Sequence, residues 1–230
     1  MGSRSFEIGT GFQYLPSKMK WACLANEYNY DIKGCQLIIL EQEFNKYGIS
    51  TDSLSVLETD FIKDTLGVDD ALVKTIRYGT IFNAGSVSLS AKGSMVKKLQ
   101  KLYSDDYVSE ILKHWEFKTK ELCDSLNLLL DEYLKTGKKN RYGLSVVNAV
   151  GQPFNTTKRK TKNEEWKAWR RDVMLRKYMI QGLESRAVYD YVSSHGDICT
   201  LEHDGFVSLH ELPDGEWLHP YLDIVLKHGC

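Results

Sequence analysis

Glu27-Tyr28-Asn29-Tyr30-Asp31-Ile32-Lys33-Gly34-Cys35-Gln36 decides how the chain is read. Tyr28, Tyr30 and Ile32 alternate with Asn29, Asp31 and Lys33. A period of two over that length predicts a half-buried β-strand. Asp31 then lies on a strand just before a glycine, where an acid taken alone also fits an ordinary turn position. After it, Gln36 to Tyr47 reads as a helix stopped by Gly48, and Ser53 to Thr65 as a second ending at Gly67. Asp69 is the expected N-cap of a helix from Asp70 to about Phe82, with Leu72, Ile76 and Ile81 spaced for packing. Met95 to Tyr103 is expected to be helical. So is a long amphipathic Tyr107 to Leu134, through Ile111, Trp115, Leu122, Leu126 and Leu129.

Beyond the break at Gly137-Lys138-Lys139-Asn140, Leu144 to Phe154 reads as a β-hairpin and Asn163 to Ser193 as a long helix. Ile198 to Leu201 and Phe206 to Leu209 read as short strands flanking His203-Asp204-Gly205. The tail from Trp217 to Lys227 reads as helical. There is no internal repeat and no low-complexity linker.

Composition sets the bounds. With 230 residues, 42% hydrophobic and 27% charged, the chain can bury a core as one large domain or two lobes sharing a cleft. No apolar run approaches the roughly 20 residues of a membrane-spanning helix. Cys23, Cys35, Cys123, Cys199 and Cys230 are odd in number and dispersed, which favours reduced thiols and an intracellular, cytoplasmic setting. Net charge is −1, yet Lys158 to Lys177 holds nine Lys or Arg against three acids, with Trp166 and Trp169 interleaved. That helix reads either as a solvated face or as the lining of a nucleic-acid channel, Arg170, Arg171 and Lys177 among its cations.

Three fragments carry candidate chemistry. Asp31 and Asp204 stand 173 positions apart; a carboxylate pair of that kind can hold two magnesium ions, with manganese as a substitute. A strand–turn–strand suits Asp204, because flanking strands fix its position; the Asp-Gly dipeptide also fits a plain hairpin turn. On the helix between them, Lys74, Tyr78 and Phe82 recur every four residues, placing a cation and two rings on one face. An amphipathic helix with a snorkelling lysine is the alternative for that face. Acids that bind divalent ions, plus a cation for a triphosphate, are what nucleotidyl transfer requires. Tyr103-Ser104-Asp105-Asp106 copies a catalytic Tyr-x-Asp-Asp turn, but helical patterns flank it, and Asp105 reads as an N-cap.

In that order the fragments resemble the motifs of family A DNA polymerases and, more distantly, single-subunit phage-type RNA polymerases. Tyr30-Asp31-Ile32-Lys33-Gly34-Cys35-Gln36 is similar to the first catalytic strand. Lys74-x-x-x-Tyr78-Gly79-x-x-Phe82 is similar to the nucleotide-binding fingers helix. Gln181-Gly182 resembles the helix that contacts the primer-template, and His203-Asp204-Gly205 the turn carrying the second metal ligand. The chain departs from the pattern at four places. Asp70 stands where the family has a triphosphate-binding arginine, Gly205 where the DNA enzymes have an acid, Gln36 where they often have a ribose-excluding Glu, and Phe82 where Tyr is usual.

The resemblance implies an α+β fold: a polymerase palm with a small antiparallel sheet, a helical fingers insertion, and a thumb that is reduced, absent or supplied by another chain or domain. Residues 1–48 and 141–230 would form the palm and 49–140 the fingers. It implies a minimal DNA polymerase of viral or phage-like type, acting on primer-template nucleic acid and nucleoside triphosphates. Asp31 and Asp204 would hold the metals. Lys74 would act on the phosphates, Gln36, Tyr78 and Phe82 on the nucleotide, and Gln181, His203 and the basic helix on the duplex. RNA synthesis, priming, or an inactive nucleic-acid-binding relative are the alternatives.

Overall fold

The computed structural model describes residues 27–33, 35–84, 94–141, 143–156, 164–195, 197–201, 205–212 and 223–228, with the backbone alone for 31–33, 94, 164–167, 199–201, 205, 223 and 227–228. It is a mostly helical α+β structure with small antiparallel sheets. The described residues fall into two compact units. One is drawn from Met1–Gln42, Val147–Phe154 and Tyr178–Cys230, the other from Glu43–Val146 and Asn155–Lys177.

β1 (Tyr28–Lys33) leads into α1 (Cys35–Lys46), of which the residues up to Gln42 belong to the first unit. Ile39, Leu40 and Phe44 of α1 are fully buried. The helix stops in a Schellman cap: Gly48 takes a φ of 67°, Ile49 N–H donates to Phe44 O at 2.8 Å, and Gly48 N–H to Asn45 O at 3.2 Å. Only a residue without Cβ adopts that backbone at no cost.

The central unit follows. Asp52–Leu57 is a 3-10 turn and α2 is Thr59–Leu66, where the sequence predicts one continuous helix. Ser55 Oγ donates to Asp52 O at 2.8 Å, and Glu58 is extended at φ −64°, ψ 148°. A hydroxyl bonded to the local backbone competes with the helical ladder. α3 (Asp70–Phe82) begins as read from the sequence, Asp69 Oδ1 accepting from Leu72 N–H at 3.0 Å. After α4 (Ser94–Leu99) the expected long helix is two, α5 (Asp105–Lys118) and α6 (Lys120–Lys135). The break is at Thr119, fully buried, whose Oγ1 donates to Trp115 O at 2.9 Å beside its own N–H. The N-cap of α5 is Ser104, one residue before the expected Asp105; its Oγ accepts from Tyr107 N–H.

Ile62, Leu72, Ile76, Leu99, Ile111 and Trp115 anchor the core of this unit. Trp115 Nε1 donates to Thr80 Oγ1 at 2.9 Å, and that hydroxyl donates to Ile76 O at 2.8 Å. The buried indole N–H is thereby satisfied, as burial demands.

β2 (Lys138–Asn140), β3 (Gly143–Val147) and β4 (Pro153–Asn155) form a three-stranded sheet where a hairpin is expected. α7 (Glu164–Ser194) is the long helix. β5 (Ile198–Leu201) and β6 (Gly205–Ser208) complete the first unit's sheet with β7 (Asp223–His228), in the order β5-β6-β1-β7. β7 corrects the helical expectation for the tail, of which 217–222 lie outside the described residues. Short apolar runs do not separate helix from strand by periodicity; adjacent β-branched Ile224 and Val225 and a free edge on β1 decide for strand.

Within the same unit α7 passes close to the β3–β4 turn. An added Cβ at Gly182 would lie 2.7 Å from Asn148 Cβ and 2.8 Å from its Cγ and Nδ2. Asn148 has little freedom to retreat, because its Oδ1 accepts from Val150 N–H at 3.2 Å and Gln152 N–H at 3.0 Å. Gly182→Ala is therefore expected to destabilise by about 1–3 kcal/mol. Gly79→Ala meets only Met95 Sδ and Cε, at 3.9 and 3.8 Å, and is expected to be neutral or to stabilise by up to about 1 kcal/mol through helix propensity. Denaturant unfolding of the two variants checks this; equal effects would mean the close approach is soft.

Candidate functional site

Two separate features of the structure carry the sequence-selected residues. The first is the sheet. β1 pairs antiparallel with β6 so that Tyr30 lies opposite Phe206 and Asp31 opposite Gly205. Tyr30 is fully buried; its ring stacks on Phe206 at 5.3 Å and 22°, and Phe206 meets Tyr191 of α7 at 5.2 Å. Tyr191 in turn stacks on His195 at 4.1 Å. Burial raises the Tyr30 phenol pKa, partly offset by Leu212 N–H, which donates to its oxygen at 2.8 Å. Backbone position 31 is thus set by an aromatic stack one residue away. The side chain of Asp31, and His203 and Asp204 altogether, lie outside what the structure describes.

The same unit buries unusual amides. Gln36 and Gln181 are each 4% exposed, and each leaves Oε1 without a hydrogen-bond partner; Asn148 is buried with Nδ2 likewise unpartnered. Such a group costs about 1–3 kcal/mol relative to a satisfied one. Cys35, beside Gln36, has its thiol pKa pushed far up, chiefly by burial and then by the carboxylate of Glu184. That charge comes from the α7 turn just after Gln181, so the start of α1 and that turn are neighbours.

The second feature is the exposed face of α3 in the central unit. Lys74 is exposed, with Nζ 5.7 Å from the Tyr78 ring centroid; Tyr78 and Phe82 are half-buried, their rings 6.4 Å apart and tilted by 37°. Lysine and rings form one stack, as the four-residue spacing predicts. Arg77, on another face, donates from Nε to Leu57 O at 2.7 Å and from Nη2 to Thr59 Oγ1 at 2.9 Å, its pKa lowered by burial. It is a tether between α3 and the preceding turn. Asp70 pairs with Lys63 at 3.1 Å and raises the pKa of that ammonium.

Along α7, Trp169, Arg170, Met174 and Lys177 are exposed. Arg171 is half-buried, its Nε and Nη2 each 2.6 Å from Asp172 Oδ1. A cation so engaged offers less to a phosphate than its place in a basic run implies. Arg176, not singled out from the sequence, is buried and holds two helices. No sequence signal sets it apart from neighbouring cations. Asn148, likewise not singled out from the sequence, stands three positions before Gly151, whose φ is 77°.

Among the described residues no group of three His, Cys, Asp or Glu side chains could hold a metal ion. Among them too, no helix is long and apolar enough to cross a membrane. No family model matches the chain, and no curated protein matches it. A solved structure described as the POL domain of Pol1 from M. smegmatis, in complex with DNA primer-template and dNTP, aligns with 84% of this chain and 34% of that chain. Sequence identity is 16% and the TM-score 0.46. The chain therefore spans about a third of the length of that solved chain.

Proposed function

We propose that the chain is the palm and fingers core of a template-directed nucleotidyltransferase, a minimal DNA polymerase that adds deoxynucleotides to a primer 3′ end. One observation carries the reading: the backbone register that sets Asp31 opposite Gly205, the residue bonded to Asp204. Opposed residues of antiparallel strands have Cα atoms about 5 Å apart, and one peptide adds about 3.8 Å. The peptide bond to Gly205 limits how far Asp204 can lie from Asp31, which supports two acids distant in sequence acting together. Hard carboxylate oxygens from two strands are the donor set that magnesium takes.

Magnesium ions held by Asp31 and Asp204 would supply charge stabilisation at the attacking hydroxyl and the leaving pyrophosphate. The remaining chemistry belongs to the protein. Lys74 neutralises phosphate charge, Tyr78 and Phe82 give the incoming base a stacking surface, and Gln36 fills space beside the sugar. Gln181 and the α7 cations track the primer-template. An inactive nucleic-acid-binding relative is favoured by one observation, the Asp70–Lys63 pair at the position of the resembled family's triphosphate-binding arginine.

Primer extension with deoxynucleotides or ribonucleotides in magnesium separates these readings. Asp31→Ala and Asp204→Ala are each expected to lower incorporation at least about a hundredfold while the fold survives. Near-normal synthesis by either variant would sink the site assignment.

The α7 cations give a second prediction. Primer-template affinity is expected to fall with salt, and Lys177→Gln to flatten the log–log slope by about 0.9, one phosphate's worth. Arg171→Gln is expected to change it by less than half of that, because Asp172 already holds the guanidinium. A slope indifferent to both substitutions would return α7 to a solvated face.

A further inference from the structure

Among the described residues Arg176 is the one Lys or Arg that is buried, with 5% of its surface exposed. Its nearest acid along the helix, Asp172, is engaged by Arg171 at 2.6 Å, and none of the ion pairs between described residues includes Arg176. Burial accordingly pulls its pKa below the ordinary value, with Asp172, Cys123 and Asp131 acting in the other direction. Nη1 donates to the Phe82 carbonyl at 3.2 Å, Nη2 to Asn127 Oδ1 at 2.7 Å, and Nε is buried without an acceptor.

A buried cation without a counter-ion is costly, and an apolar side chain of similar volume would pack there without it. What an apolar side chain lacks is the fork. Phe82 is the last residue of α3, where carbonyls lack helical donors and the helix dipole is negative. Asn83 Nδ2 already donates to the Gly79 carbonyl of the same turn at 2.7 Å. Arg176 supplies the other restraint and carries it across to Asn127 on α6, so one guanidinium joins α3, α6 and α7. The residue whose carbonyl it holds is the one whose ring ends the Lys74–Tyr78–Phe82 stack.

We propose that Arg176 is a positioning residue for the nucleotide-facing side of α3, fixing the last turn so that Phe82, and Tyr78 leaning on it, keep one geometry. This rests on the nucleotide reading of that face given above. The role needs a planar fork: a lysine ammonium keeps the charge yet does not reach two acceptors on different helices with fixed geometry.

The test uses the full chain with a fluorinated phenylalanine at position 82, and the variants Arg176→Lys and Asn127→Ala. Asn127 is exposed, so its truncation leaves the core intact. In fluorine NMR both variants are expected to shift and broaden the position-82 line. In primer extension both are expected to raise the nucleotide KM about tenfold, with kcat within about threefold and primer-template affinity unchanged. An unmoved fluorine line, or a kcat loss without a change in KM, overturns the proposal. A parent chain that incorporates no nucleotide sinks the polymerase reading instead, and the fluorine line then decides alone whether Arg176 sets Phe82.

Discussion

The pairing of β1 with β6 is the constraint on which the first unit depends. Strands of period two tolerate no slip when one face is buried, and here the buried face is fixed by a ring stack. Tyr30 sits against Phe206, Phe206 against Tyr191, and the phenol oxygen of Tyr30 accepts the Leu212 amide. A shift of one residue would remove Tyr30 from Phe206 and leave a buried amide without its acceptor. Each fault is worth about a kilocalorie or more, enough to hold one register. Asp31 opposite Gly205 is a consequence of that register, and β7 on the other side of β1 makes it central instead of an edge.

The central unit solves a different problem, holding one helix while leaving a face of it available. α3 is capped at its start by Asp69, hydrogen-bonded in its last turn through Thr80 to Trp115, tethered through Arg77 to Leu57 and Thr59, and held at its end by Arg176. The Thr80–Trp115 and Arg176 ties use polar groups that burial would otherwise penalise, so there the fixing of the helix also satisfies buried donors. Lys74, Tyr78 and Phe82 line one face of the helix so tied, and the Phe82 carbonyl is itself the acceptor of the Arg176 tie.

Much of this was legible in the sequence where the signal is local. Asp69 announces α3, Gly48 and Gly67 stop α1 and α2 at positive φ, and alternation in Tyr28 to Lys33 marks β1. What was hidden is settled by partners far along the chain. Thr119 gives no warning of a break, because threonine is tolerated in helices; only its burial and its bond to Trp115 O turn the chain. The tail reads as a helix until a free strand edge is available. The candidate site divides the same way. The Lys74–Tyr78–Phe82 stack follows from four-residue spacing, whereas the engagement of Arg171 by Asp172 and the burial of Arg176 do not, since one basic run contains both.

Each unit, taken by itself, buries polar groups without partners. A core selected for stability alone would hold Leu or Met where Gln36, Gln181 and Arg176 stand, since each leaves a buried atom unsatisfied at about 1–3 kcal/mol. The chain satisfies such groups elsewhere: Thr80 and Trp115 close a buried donor–acceptor chain, and Asn148 Oδ1 takes two amides. Among the described residues incomplete satisfaction falls on Gln36 at the start of α1, on Gln181 of α7, on Arg176 beside the end of α3, and also on Glu27 Oε2 and Asn148 Nδ2. Three of these lie on segments on which the proposed chemistry depends, and a sequence that departs from local optimality there is answering to something besides stability.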